Sequence, residues 1–120
     1  MSLTVLFLFL FYHFLQTQHQ FQSQEYLHQE FCILLPDTKI KEASFVAQRL
    51  RKAVEKADIN ISDDQVLGTD FLNVTISVGV SEFDMSFEAP EKLHQSADIA
   101  LYEAKKRGRN RVVIFDESFS

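Results

Sequence analysis

Residues 73–81, NVTISVGVS, constrain the fold more than any other stretch of the chain. Val74, Ile76, Val78 and Val80 face one way, and Thr75, Ser77, Gly79 and Ser81 the other. That strict two-residue period is the mark of a strand. A strand of this kind belongs in a sheet with helices layered on it.

On either side the spacing turns helical. Ala43, Val46, Ala47, Leu50, Val54 and Ala57 recur at helical intervals, with Arg49, Arg51, Lys52 and Glu55 mostly on other faces. This predicts a helix over roughly 39–57, with Asp37 and Thr38 offering its N-cap. Leu93, Ala97, Ala100, Leu101 and Ala104 line a second helix. Pro90 suits its first turn, and Gly108 stands where a C-cap glycine belongs. FCILLP, residues 31–36, is a continuous apolar run stopped by Pro36, which suits a strand covered on both faces. RVVIF at 111–115 is the last strand. INISDDQVLGTD carries turn chemistry at Asp63, Asp64 and Gly68 and reads as a short irregular hairpin. The order is strand, helix, hairpin, strand, helix, strand. It predicts an α+β, α/β-layered domain, a sheet with helices packed on it.

Length and composition agree. A chain of 120 residues, 46% hydrophobic and 24% charged, makes one small globular domain. A net charge of −5 argues against nucleic-acid binding. The single cysteine, Cys32, excludes an internal disulfide and reads as a core residue inside FCILL. No Cys/His spacing resembles a zinc site.

The first 25 residues differ from the rest. No Lys or Arg precedes Lys39. LTVLFLFLFYHFL, residues 3–15, is shorter than the ~20 residues of a membrane-spanning helix. It also lacks the basic flank and cleavage site of a secretory signal. A Gln-rich tract, QTQHQFQSQ, follows. Three readings of the apolar run stay open: a buried helix, a membrane-surface segment, or sequence outside a packed domain.

The basic cluster near the C-terminus has two readings. Lys105, Lys106, Arg107, Arg109 and Arg111 surround Gly108. Cations in a last helical turn favour the carbonyl end of the helix dipole by ~0.3–1 kcal/mol each. Alternatively, Lys105 and Arg109, four residues apart across the helix end, form an anion clamp, with Arg as a planar fork and Lys as a mobile point charge. Periodicity does not choose between them.

ADIALYEAKKRGRNRVVIF at 97–115 resembles the C-terminal signature of GGDEF domains, the diguanylate cyclases of bacterial cyclic-di-GMP signalling. VTISVGVSEF is similar to that family's Thr-Ile-Ser-x-Gly-Val strand. FCILLPDT followed by AQRLRKAV resembles its post-motif strand and helix. The resemblance covers residues ~26–116, the C-terminal part of a domain, and implies a partial nucleotidyl-cyclase-like fold of the ferredoxin-like palm type. Residues 1–25 stand outside it, and 117–120 form a tail.

In that family two domains each hold one GTP, and each 3′-hydroxyl attacks the other α-phosphate with Mg²⁺ or Mn²⁺ bridging the phosphates. The alignment places LHQEF, residues 27–31, over the Gly-Gly-Asp/Glu-Glu-Phe turn. Leu27 and His28 replace the glycines, which block close backbone approach to phosphate. Gln29 replaces the metal-binding acid and carries no charge to offset a divalent cation. Glu30 matches the second acid. Lys105 and Arg109 match the phosphate-contacting cations, and Asn110 matches the signature without needing to touch ligand. The family's first strand, with its Asp-x-Asp segment, and its Arg-x-x-Asp inhibitory site have no counterpart in 1–25. LFLFLFYHFL fills at most the helix position before the turn, and QFQSQEY the strand leading to it. Without that first strand the sheet would lose a central member and expose an edge.

The leading expectation is a truncated, degenerate GGDEF domain related to cyclic-di-GMP signalling, without cyclase activity by itself. Its site residues are Glu30 in the degenerate turn and Lys105 and Arg109 for phosphate; it has no metal site, and no cofactor is expected. The alternatives are a non-catalytic module that binds a nucleotide or a partner, and an active cyclase making cyclic-di-GMP from two GTP. The resemblance implies GTP or another GGDEF domain as partner, a homodimer, and a cytoplasmic location, with neither nucleic acid nor membrane.

Overall fold

The computed structural model of the chain describes residues 2–14, 26–57, 59–60, 71–84 and 92–119. They form β1 (Ser2–Phe14), β2 (Tyr26–Pro36), α1 (Ile40–Lys56), β3 (Ile59–Asn60), β4 (Phe71–Asp84), α2 (Leu93–Lys106) and β5 (Val112–Ile114). The five strands make one mixed sheet in the order β2-β1-β4-β3, with β5 also paired to β4. The β4–β5 pair is parallel and the others antiparallel. The α+β layering expected from the sequence is present.

The first correction concerns residues 3–15. Of these, 3–14 are not a helix: they lie in β1, the interior strand between β2 and β4. It pairs from Leu3 with Phe83 to Phe14 with Leu72 on one side, and from Leu3 with Pro36 to His13 with Tyr26 on the other. A strand hydrogen-bonded on both edges sits inside its sheet, and such strands read as near-continuous apolar runs without alternation. A short all-apolar run cannot be separated from a buried helix by periodicity. The gap expected at the sheet centre is therefore filled, and β2 becomes an edge strand. On that outer strand Phe31 and Leu34 are exposed.

The two helices lie on opposite faces of β4. On the valine face, Val78, Val80 and Ile76 are buried with Leu6 and Leu8 of β1 and with Ala43 and Ala47 of α1. On the other face α2 comes so close that a Cβ on Gly79 would stand 2.2 Å from the Ala97 carbonyl oxygen and 2.4 Å from the Leu101 nitrogen. Ala97, Ala100, Leu101 and Ala104 are fully buried, as their spacing predicts. Phe115 and Phe119 pack beside Ala100, Ala104 and Val113, and their rings meet edge to face at 6.4 Å. The tail thus folds back onto α2, where Phe119 also lies 5.4 Å beneath the Arg107 guanidinium.

Helix α1 departs from expectation in two ways. Its N-cap is Lys39 without a side-chain cap bond, rather than Asp37 or Thr38. Asp37 takes a left-handed φ of 52° in the turn after Pro36, and the Thr38 hydroxyl bonds back to the Pro36 carbonyl at 3.0 Å. The Thr38 carbonyl accepts from the buried Thr4 hydroxyl, so these groups tie β1 to the turn and are not available to cap. Val46, Leu50 and Ala57 also lie exposed, because only the Ala43–Ala47 edge of the helix meets the sheet. Cys32 is exposed on β2 and not in the core, since an edge strand is half open; partial desolvation still pushes its thiol pKa up. Pro90 and the hairpin residues Asp63, Asp64 and Gly68 lie outside the described residues. No helix among the described residues is long and apolar enough to cross a membrane.

Two substitutions test this architecture. Gly79→Ala should destabilise by at least about 2 kcal/mol, because the methyl meets helix backbone rather than a yielding side chain. Leu6 is fully buried, so Leu6→Ala should cost about 2–5 kcal/mol in urea unfolding. An unchanged unfolding midpoint for Leu6→Ala would remove β1 from the sheet.

Candidate functional site

The signature residues gather where α2 ends over the sheet. Helix α2 closes with paired bonds: the Gly108 N–H donates to the Lys105 carbonyl at 3.3 Å and the Arg109 N–H to the Ala104 carbonyl at 2.9 Å. This is the Schellman arrangement, with Gly108 at φ 121° as the left-handed residue the sequence predicts. The chain then keeps positive φ through Arg109 (63°) and Asn110 (48°). Each of these non-glycine residues costs roughly 1–2 kcal/mol in that region, so neighbouring bonds have to hold them there.

Those bonds are present. The Asn110 N–H donates to the hydroxyl of Ser77, a buried residue on the Gly79 face of β4, at 3.1 Å. The Asn110 side chain joins Arg51 and Glu55 of α1: its Oδ1 accepts from Arg51 Nη1 at 3.1 Å, and its Nδ2 donates to Glu55 Oε2. Arg111 Nε donates to the Arg109 carbonyl at 3.0 Å, and the Val78 N–H donates to the Arg111 carbonyl at 2.9 Å. The N–H groups of Gly108, Arg109 and Asn110 are all engaged within the protein. The turn is therefore no backbone cradle for an anion, and any anion chemistry falls to side chains.

Two predicted site residues meet directly. Lys105 Nζ lies 3.2 Å from Glu30 Oε1, joining α2 to the edge strand. Glu30 is opposite Phe9, and Phe9 opposite Ser77, so Glu30 and Ser77 share one row across β2, β1 and β4. The row spans about 10 Å at the usual strand spacing. The Glu30–Lys105 pair stands at one end of it and the Asn110 anchor at the other. Arg109 is exposed, one residue before that anchor.

The basic cluster divides by role. Arg107 bonds to Glu103 at 3.1 Å and covers Phe119; Arg111 braces the turn. These two are structural; Lys105 stands at the Glu30 end of the row, and Arg109 is exposed beside Asn110 at the Ser77 end.

The signature turn is the second correction. Residues 27–31 are not a turn: Leu27 to Phe31 continue the β2 ladder, opposite Tyr12 to Leu8. Without glycine at 27 and 28, nothing in the segment favours the positive φ that a tight hairpin turn requires. Glu30 consequently projects from a strand.

The donor set does not suit a divalent metal. Among the described residues no three His, Cys, Asp or Glu side chains group together, and Glu30 is ion-paired to Lys105. Hard divalent cations take several oxygen ligands, with more than one of them charged in most sites. No step is therefore derived through a metal.

Arg51, Glu55 and Ser77 went unrecognised in the sequence. The i, i+4 spacing of Arg51 and Glu55 was legible only as a helix-surface ion pair, and at 3.5 Å it is one. Nothing local indicates that Asn110, 55 or more residues away, inserts between them.

Comparison with known proteins places this geometry. Residues 23–111 match the family described as Diguanylate cyclase, GGDEF domain. Diguanylate cyclase A of Treponema denticola is 37% identical over 98 residues, covering 82% of this chain and 25% of that protein. Response regulator PleD of Caulobacter vibrioides is 39% identical over 85 residues, covering 71% of this chain and 18% of that protein. This chain thus spans a quarter or less of these curated relatives. The crystal structure of the GGDEF domain of DgcB from Caulobacter crescentus, in complex with c-di-GMP, superposes with a TM-score of 0.64 at 17% identity, over 92% of this chain and 75% of that one.

The Glu30–Lys105 pair is half exposed, so its contribution to stability is at most about 1 kcal/mol. Glu30→Gln should leave the melting temperature nearly unchanged. It should also tighten binding of inorganic triphosphate, because the competing carboxylate is gone. Equal triphosphate affinity in both proteins would show that Lys105 does not face the anion.

Proposed function

The chain belongs to the GGDEF diguanylate cyclase family, the family of cyclic-di-GMP signalling, and on that premise we propose that it is a degenerate GGDEF module that binds the phosphates of a guanine nucleotide without cyclising it. The observation that carries this reading is Lys105, brought to the end of the Glu30–Ser77 row beside a turn whose backbone amides are already bonded.

Phosphate recognition would rest on two cations of different kinds. Arg109 offers a planar fork that matches two phosphate oxygens, and Lys105 supplies a compact charge on a flexible stem. Glu30 competes for Lys105, so an incoming phosphate exchanges one carboxylate contact for its own.

Loss of turnover follows from the site's composition. Nucleotidyl transfer between two triphosphates builds negative charge at the attacked phosphate, and the family offsets it with metal ions held by carboxylates. Here Gln29 stands where one of those acids would be, and Glu30 is tied to Lys105. Binding at two cations without that stabilisation holds the ground state and leaves the barrier in place.

Incubation with GTP and either Mg²⁺ or Mn²⁺ should yield no cyclic-di-GMP by chromatography. Titration calorimetry should show GTP binding that weakens in Lys105→Ala and in Arg109→Ala. Cyclic-di-GMP formation would overturn the loss of activity; affinity unchanged in both variants would overturn the phosphate contact.

A further inference from the structure

We infer that Arg51 and Glu55 of α1 are positioning residues for Arg109, acting through the Asn110 side chain; this rests on the reading of Arg109 as a phosphate contact. Neither residue belongs to 97–115, the segment that carries Lys105 and Arg109; Arg51 lies in AQRLRKAV and Glu55 just after it. Both lie on a different helix, which packs on the opposite face of the sheet.

The connection is chemically specific. An amide side chain has a donor end and an acceptor end, and here each meets the matching charge. Asn110 Oδ1 takes a hydrogen from the Arg51 guanidinium at 3.1 Å, and Asn110 Nδ2 gives one to the Glu55 carboxylate. Charge-assisted bonds of this kind are the stronger ones, and the opposite charges fix which way the amide points. Arg51 is itself held: its Nε donates to Gln48 Oε1 at 3.0 Å, and its Nη1 lies 3.5 Å from Glu55 Oε2. The anchor is thus a network built on two turns of α1, with Asn110 as its visitor from the far side.

The network acts on backbone geometry. Asn110 at φ 48° and Arg109 at φ 63° hold a conformation that their own side chains disfavour. The bonds at 104, 111 and Ser77 clamp the backbone around Arg109. The Asn110 amide reaches across to α1. Releasing it removes a restraint that draws the turn toward α1, and Arg109 is the adjacent residue. A dissolved anchor lets residues 109 and 110 relax toward negative φ and re-aims the Arg109 stem.

Two readouts on the full chain decide this. The first needs no ligand: the HN–Hα couplings and chemical shifts of Arg109 and Asn110 by NMR, in the unaltered protein, in Arg51→Ala and in Glu55→Ala. Both variants should move these signals away from positive-φ values, while those of Ala97 to Ala104 stay in place. Unchanged signals at 109 and 110 overturn the inference, whether or not nucleotide binds. The second is GTP affinity in a double-mutant cycle. Arg51→Ala should weaken GTP roughly tenfold on its own and have no further effect in an Arg109→Ala background, because it acts only through Arg109. Arg51→Lys, which can still donate to Asn110 Oδ1, should restore part of the loss. Equal losses in both backgrounds mean general destabilisation and overturn the positioning role. Absence of GTP binding in the unaltered protein sinks the phosphate reading alone and leaves the NMR result to judge the anchor.

Discussion

A missing side chain determines where α2 lies. Gly79 lets the helix backbone descend onto β4 until a methyl group would collide with it. Every group at the end of the helix is placed by that descent. Lys105 reaches Glu30 on the edge strand, Gly108 closes the helix, and Asn110 arrives where the Ser77 hydroxyl can receive its N–H. The polar face of β4, with Thr75, Ser77, Gly79 and Ser81, is small so that a helix can sit low on it. The valine face opposite does ordinary core packing against α1.

The sheet has a similar dependence on β1. A strand of Leu and Phe inserted between β2 and β4 supplies backbone partners to both along most of their length. Without it, Glu30 and Ser77 would not share a row, and the edge strand would have no fixed register to α2. The N-terminal segment thus carries no recognisable chemistry of the family and yet sets the distance across which the candidate site is built. The cost is visible at β2, which is the outer strand among the described residues and exposes Phe31 and Leu34.

The site that results is electrostatically simple. Lys105 is paired with the Glu30 carboxylate, beside a turn whose backbone donors at 108–110 are engaged. Nucleotide binding and nucleotidyl transfer need different groups: cations hold phosphate in the ground state, and metal ions held by carboxylates offset the charge that develops in the transition state.

Much of this was legible in the residues alone. The alternation at 73–81, the alanine-rich stripe of α2, the extent of α1 and the glycine closing α2 are all local regularities, set by two-residue and helical periods and by the one residue that takes positive φ freely. The pairing of Glu30 with Lys105 was half legible, since both residues carried the family resemblance but their contact spans 75 positions. What only the tertiary structure decided is long-range. An all-apolar run becomes a central strand, and LHQEF becomes straight ladder, because neighbouring strands supply the hydrogen bonds. Asn110 finds Arg51 and Glu55 because the sheet brings α1 and the end of α2 to the same place. Sequence periodicity records which face of an element is apolar; it holds no record of which distant polar groups that burial will bring together.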